Sequence, residues 1–146
     1  MKTTILFTLF LILAIGGTAN AQESNDTTII AGVESLQKYV VLTKKIPQLK
    51  PILLTAKHFR EEDGASFGDF QIIICGQDIV NITDAATMNP YIDQARELGV
   101  TLVACGFSMQ KFGVDPTLVP DGIETVDNGI QHNFTLQKKG YYSISL

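Results

Sequence analysis

From Lys38 onward, short continuous apolar runs alternate with stretches in which apolar residues return every three or four positions. The runs "KYVVLT", "FQIIICG" and "VTLVAC" have the length of strands. The second is apolar on both faces, as a parallel strand covered from both sides must be. Between the first two runs, Leu49, Ile52, Leu53, Ala56 and Phe59 recur at helical spacing beyond Pro47 and Pro51, and Gly64 marks the end of that helix. "MNPYIDQARELG" predicts the next helix, with Asn89 as N-cap, Pro90 at the first helical position and Gly99 as the stop. Ser108 to Phe112 have room for a short helix at most, "DPTLVPDG" reads as a loop, and "IETVD" reads as a weaker strand.

The segment that follows carries two conflicting signals. Asp127 or Asn128 can cap a helix in which Ile130 and Phe134 stand four apart, with Lys138 and Lys139 in the last turn and Gly140 closing it. Leu136 lies about 240° around such a helix from Ile130, and all three apolar residues share one parity, as in a strand. The end signals decide for a helix, with Ile130 and Phe134 as its inward stripe. "YYSISL" alternates as a strand. The order β-α-β-α-β-α-β-α-β then predicts an α/β protein, a flavodoxin-like three-layer sandwich on a mainly parallel five-stranded sheet.

The N-terminal pattern is different. "MKTTILFTLFLILAIGGTANA", residues 1–21, has one lysine, an apolar run from Ile5 to Ile15 and an Ala19-Asn20-Ala21 end. That is the form of a secretory signal peptide, its apolar core being too short for a membrane span. Residues 22–37 read as a polar leader, loosely docked or adding an edge strand, and residues 38–146 as a single domain. Export, into the periplasm of a bacterium, is the expected destination, with no membrane association after cleavage. The chain of 146 residues carries a formal net charge of −4, and the predicted signal holds only Lys2 of its charges, so the remainder is more acidic still. Nucleic acid and anionic membrane surfaces are excluded as partners, because binding them takes a basic patch.

Two residues stand out for chemistry. Cys105 ends the third apolar run and Cys75 the second, and in parallel sheets reactive groups collect at the carboxyl ends of strands. A thiol just before a helix N-terminus meets partial positive charge and free N–H groups, which favour the thiolate, and Gly106 adds access by carrying no side chain. A free cysteine also packs well as a small hydrophobe, so position leaves both readings of Cys105 open and favours the packed one for Cys75. If the strand order is the flavodoxin 2-1-3-4-5, the strands ending in the two cysteines flank the first strand, about 9 to 10 Å apart. A disulfide needs Cα atoms within about 7 Å, so two free thiols are expected in each subunit.

Other chemistries find little support. His58 and His132 both read as solvated, and no C-x-x-C or H-x-x-x-H pair offers metal-ligand spacing. The loop "KKIPQLKP" lacks the glycines and hydroxyls that cradle a phosphate, which counts against a nucleotide or flavin cofactor. Asn25, Asn81 and Asn133 lie in N-x-T sequons, which matter only in a eukaryotic secretory pathway.

The stretch "LVACGFSMQKFGVDPTLVPDGIETVDNGI", continued by "LQKKGYYSISL", resembles the DsrE/DsrF-like sulfur-relay family, whose members commonly read A-C-x-x-S-M-x-x-x-G at this strand end. The likeness runs on through a "LVPDGIETV" loop, an N-G-I helix start and a final "GY" strand. It spans residues 70–146, and residues 38–69 as a pattern of elements. The resemblance implies the same fold, a helix over the ambiguous segment, and a homo-oligomer, trimeric or hexameric. It also implies that Cys105 takes a sulfur atom as a persulfide and passes it on, with a sulfur donor and a sulfur acceptor as partners and no cofactor. Cys75 matches no sulfur carrier of the family. The best-known relays work in the cytoplasm, so an exported member would use a different donor and acceptor. Two alternatives stand beside it: a non-enzymatic oligomeric binding or scaffold protein in which Cys105 only packs, and a thiol redox protein cycling Cys75 with Cys105. The expected strand spacing allows the second only between subunits.

Overall fold

Val40, Val41 and Leu42 form the buried centre of β1 (Gln37–Thr43), where the first apolar run predicts a strand. The computed structural model describes residues 35–146. After β1 come α1 (Leu49–Asp63), β2 (Phe67–Ile74), α2 (Ala85–Leu98), β3 (Val100–Cys105), α3 (Gly106–Phe112), β4 (Ile123–Val126), α4 (Gly129–Lys138) and β5 (Tyr142–Ser145). The five strands form one all-parallel sheet, so the α/β class read from the sequence holds. The expected signal peptide at residues 1–21 and the leader as far as residue 34 lie outside the described residues. The end of that leader overlaps β1, because Gln37 already pairs with Phe67.

The strand order is β4-β3-β2-β1-β5, which corrects the flavodoxin order 2-1-3-4-5. Each crossover from β1 to β4 steps one strand in the same direction, and only the connection through α4 returns, placing β5 on the free side of β1. Right-handed crossovers then put α1 and α2 on one face of the sheet and α4 on the other. Side-chain parity agrees. Tyr39 of β1 stacks on Phe59 of α1 with ring centroids 4.5 Å apart. Its register partner is Phe70, and the next residue, Gln71, points the opposite way and bonds His132 of α4 at 2.8 Å.

Two helices differ in detail from expectation. α2 starts earlier than Asn89, because the Asp84 carboxylate is the better cap: it accepts from the Ala86 N–H at 3.1 Å and from the Thr87 hydroxyl at 2.6 Å. Pro90 consequently lies inside the helix, on its exposed side, and Gly99 ends it at φ 67° as expected. α4 is a helix capped by Asn128, whose Oδ1 accepts from the N–H groups of Ile130 and Gln131. Its inner face is Gly129, Asn133 and Leu136, however, and the expected stripe points out, with Ile130 58% and Phe134 59% exposed. The contact with the sheet explains the turn, since α4 approaches through the bare backbone of Gly129 and the Asn133 side chain, which accepts from Ser143 Oγ at 3.0 Å.

Candidate functional site

Because β2 and β3 are neighbours, the register that pairs Ile73 with Val103 and Ile74 with Ala104 leads directly to Cys75 beside Cys105. One strand spacing, about 4.8 Å, separates them rather than the expected two. The Cys75 N–H carries the ladder one residue past β2 by donating to Thr43 O at 2.9 Å. Both side chains share the parity of Ile73 and Val103, on the face that α4 covers. The site therefore lies under the N-terminus of α4, and not at the β1/β5 junction where the strand order reverses.

Gly129, the first residue of α4, closes over the pair. A Cβ placed on it would sit 2.6 Å from Cys75 Sγ, 2.8 Å from Ile73 Cγ2 and 3.1 Å from Cys105 Cβ, so only glycine lets the helix backbone come this near. Its N–H donates to Cys105 Sγ at 3.2 Å. From the other side, the N–H and hydroxyl of Ser108, in the first turn of α3, also bond the Cys105 sulfur. Ser108 Oγ is itself fixed by the Gly76 N–H at 3.0 Å.

The two thiols are driven in opposite directions. Burial pushes Cys75 up to about 12, and the neighbouring Cys105 sulfur adds to the rise. Burial also works against the Cys105 thiolate, but the Ser108 hydroxyl, the Gly129 and Ser108 N–H groups and the Cys75 thiol outweigh it and hold Cys105 below its ordinary 9.0. The arrangement favours the thiolate on Cys105 over one on Cys75, which stands beside it as the protonated donor.

Access is the point at which the sequence expectation fails. Cys105 is 2% exposed and Cys75 7%. Gly106 does not open a path to the sulfur. A Cβ there would meet Val126 O at 2.9 Å and Asp127 O at 3.2 Å, so this glycine admits the β4–α4 connection, which Phe107 N–H ties down through Asp127 O at 2.7 Å. A reagent reaches either sulfur only when this cover shifts.

Of the other candidate residues, His58 is exposed on α1, as expected. His132 is half-buried on Gln71, which corrects the solvated reading. Asn133 is 7% exposed, with its Oδ1 accepting from Ser143 and Gln137, and a side chain buried this far has no room for a glycan. Among the described residues, no three His, Cys, Asp or Glu side chains gather as a metal site, and no helix is long and apolar enough to cross a membrane. The residues that residue-by-residue reading missed, Ser108 and Gly129, both lie in quoted motifs. Ser108 is the serine three positions after Cys105, and Gly129 is the glycine of the N-G-I helix start.

No family model matches the chain, and no curated protein matches it. Among solved structures it is similar to a protein of unknown function from Methanobacterium thermoautotrophicum, with a TM-score of 0.59 at 16% identity over 75% of this chain and 99% of that one. It is also similar to a conserved protein of unknown function from Bacteroides thetaiotaomicron, with a TM-score of 0.56 at 17% identity over 75% of this chain and 95% of that one. At these identities the likeness shows the α/β fold alone.

Proposed function

We propose that the protein is an exported member of the DsrE/DsrF-like sulfur-relay family and carries sulfane sulfur as a persulfide on Cys105. The observation that carries this reading is the set of donors on one sulfur: Gly129 N–H at 3.2 Å, with the N–H and hydroxyl of Ser108, stabilising a thiolate in a buried site. The thiolate attacks the terminal sulfur of a polysulfide, and the shortened polysulfide leaves as the anion as the new S–S bond forms. The same donors favour the anionic terminus of the resulting persulfide. A cleft of about 560 Å³ opens at Gly76, the residue after Cys75, and its lining carries Lys44 and Lys45 against one carboxylate, Asp78, a balance that favours an anionic donor. Exposed Tyr142 and Ile144 on β5 supply apolar surface for a homo-oligomer, and exposed Phe107 and Ile130 near the thiols supply it for a sulfur acceptor protein.

The test is incubation of the purified protein with polysulfide followed by intact-mass measurement. The expected result is one or more added sulfur atoms on the wild type and none on Cys105→Ser; equal addition to both, or none to either, overturns the proposal. Alkylation against pH is a second check. Cys105 is expected to keep labelling at pH values below 9, where an ordinary thiol loses its thiolate, and a midpoint at or above 9 removes the lowered value on which the reading depends.

A further inference from the structure

Among the described residues, Cys75 is the buried thiol to which the persulfide reading gives no task. Its sulfur and the Cβ of Cys105 both lie within 3.1 Å of a single point above Gly129 Cα, on the same face of two hydrogen-bonded neighbouring strands. Parallel neighbours stand about 4.8 Å apart, inside the 4.4 to 6.8 Å Cα separation that a disulfide spans. Both thiols are free in the structure. We propose that Cys105 and Cys75 form a reversible intramolecular dithiol–disulfide couple, with Cys105 as the attacking thiol, Cys75 as the resolving thiol and a small peroxide as the oxidant.

The chemistry balances in two steps. The Cys105 thiolate attacks one peroxide oxygen, the O–O bond breaks, and with one proton from solvent the products are a Cys105 sulfenic acid and water. Cys75 sulfur then attacks the sulfenic sulfur, forming the S–S bond and expelling the oxygen, which leaves as water with the Cys75 proton and the sulfenic proton. Two thiols have lost two electrons to one peroxide. A dithiol reductant returns the pair to the starting state by exchange. The environments suit this division, since the sulfur held by Gly129 and Ser108 is the nucleophile and its neighbour supplies a proton. A small peroxide also demands the least displacement of the cover over the site. The couple shares the nucleophilic Cys105 with the sulfur-carrier reading, but not the sulfur cargo.

The experiment treats the native protein with a slight excess of hydrogen peroxide, quenches it, denatures it, alkylates with N-ethylmaleimide and measures intact mass. The expected wild-type product is monomeric, lighter by two hydrogens, carries no alkyl group, and regains both alkylation sites after dithiothreitol. Cys75→Ser is expected to stop at a Cys105 sulfenic acid that dimedone traps, and Cys105→Ser to keep Cys75 as an alkylatable thiol. A wild type that keeps both alkylation sites, or that pairs only between chains on a non-reducing gel, overturns the proposal without reference to either variant. Polysulfide loading of Cys75→Ser separates the two readings. Loading in that variant with no wild-type disulfide removes the couple alone, and a wild-type disulfide with no sulfur loading removes the carrier alone.

Discussion

The two faces of the sheet are held by different forces. Under α1 and α2 the contact is apolar and dry: Leu49, Ile52, Leu53 and Ala56 of α1 and Met88, Ile92 and Ala95 of α2 are buried, over a strand face that includes Phe70, Ile72 and Ile74. Under α4 only Leu136 is a large buried apolar residue, and the contacts are directional: Gly129 to Cys105, His132 to Gln71, Asn133 to Ser143. The strand side of that interface mixes buried Val40, Leu42, Ile73 and Val103 with polar pairs, among them the Tyr141 hydroxyl donating to Asp69 at 2.5 Å. Apolar burial over a whole helix face is hard to undo in part, whereas a few hydrogen bonds can be exchanged for water one at a time. The reactive pair lies under the second kind of cover, where an opening that admits a small reagent costs least.

The largest effect that tests this contrast is expected on the dry face. Leu53→Ala leaves a cavity where a fully buried side chain packed, and a loss of about 3 kcal/mol in urea unfolding is expected. A loss below about 1 kcal/mol would show that this face is no better packed than the other. Next comes Gly129→Ala, whose methyl group collides with Cys75 Sγ and Ile73 and must lift the start of α4. About 2 kcal/mol is expected from overpacking. The same lift lengthens the N–H bond to Cys105, so its midpoint for alkylation is expected to move up in pH, and an unchanged midpoint would mean that Gly129 only packs. His132→Ala removes one bond at the other end of the same interface, at about 1 kcal/mol. It is also expected to raise the rate of Cys105 alkylation, because the cover is then held at fewer points. The smallest effect is on the outside of α4: Phe134→Ser should change chemical stability by no more than about 0.5 kcal/mol while the side chain faces water. A larger loss that grows with protein concentration would place this face in an interface between copies.

Most of the elements were legible because each rests on local signals that survive tertiary folding. Gly64 and Gly99 end their helices at positive φ, where a side chain would be strained, and the alternation of apolar runs with helical stripes marks α1, β2 and β3 within a few residues. The errors have one physical form. Pro90 fits the first position of a helix, but Asp84, reaching two donors, begins the helix earlier. Ile130 and Phe134 form the strongest apolar pair on α4, yet the backbone of Gly129 and the amide of Asn133 decide which side faces the sheet. A pattern of apolar residues shows that a helix has a face, and the surface against which it docks selects the face.

For the site, residue type and strand-end position already singled out Cys105, and the serine and glycine that bond it stood in the quoted motifs. The pairing with Cys75 was out of reach, because it depends on which strands are neighbours. Both 2-1-3-4-5 and 4-3-2-1-5 satisfy the same right-handed crossovers and the same alternation of elements, and they place the cysteine-bearing strands two spacings or one spacing apart. What the amino-acid sequence determined by itself was the set of strands and helices and a thiol at the end of one of them, since those follow from periodicity and from local hydrogen-bonding preferences. Only the tertiary structure decided that the thiol has a second thiol beside it, a helix N-terminus bonded to its sulfur and a cover over both, because each of these depends on residues 24 to 54 positions apart being brought within contact by the order of the sheet.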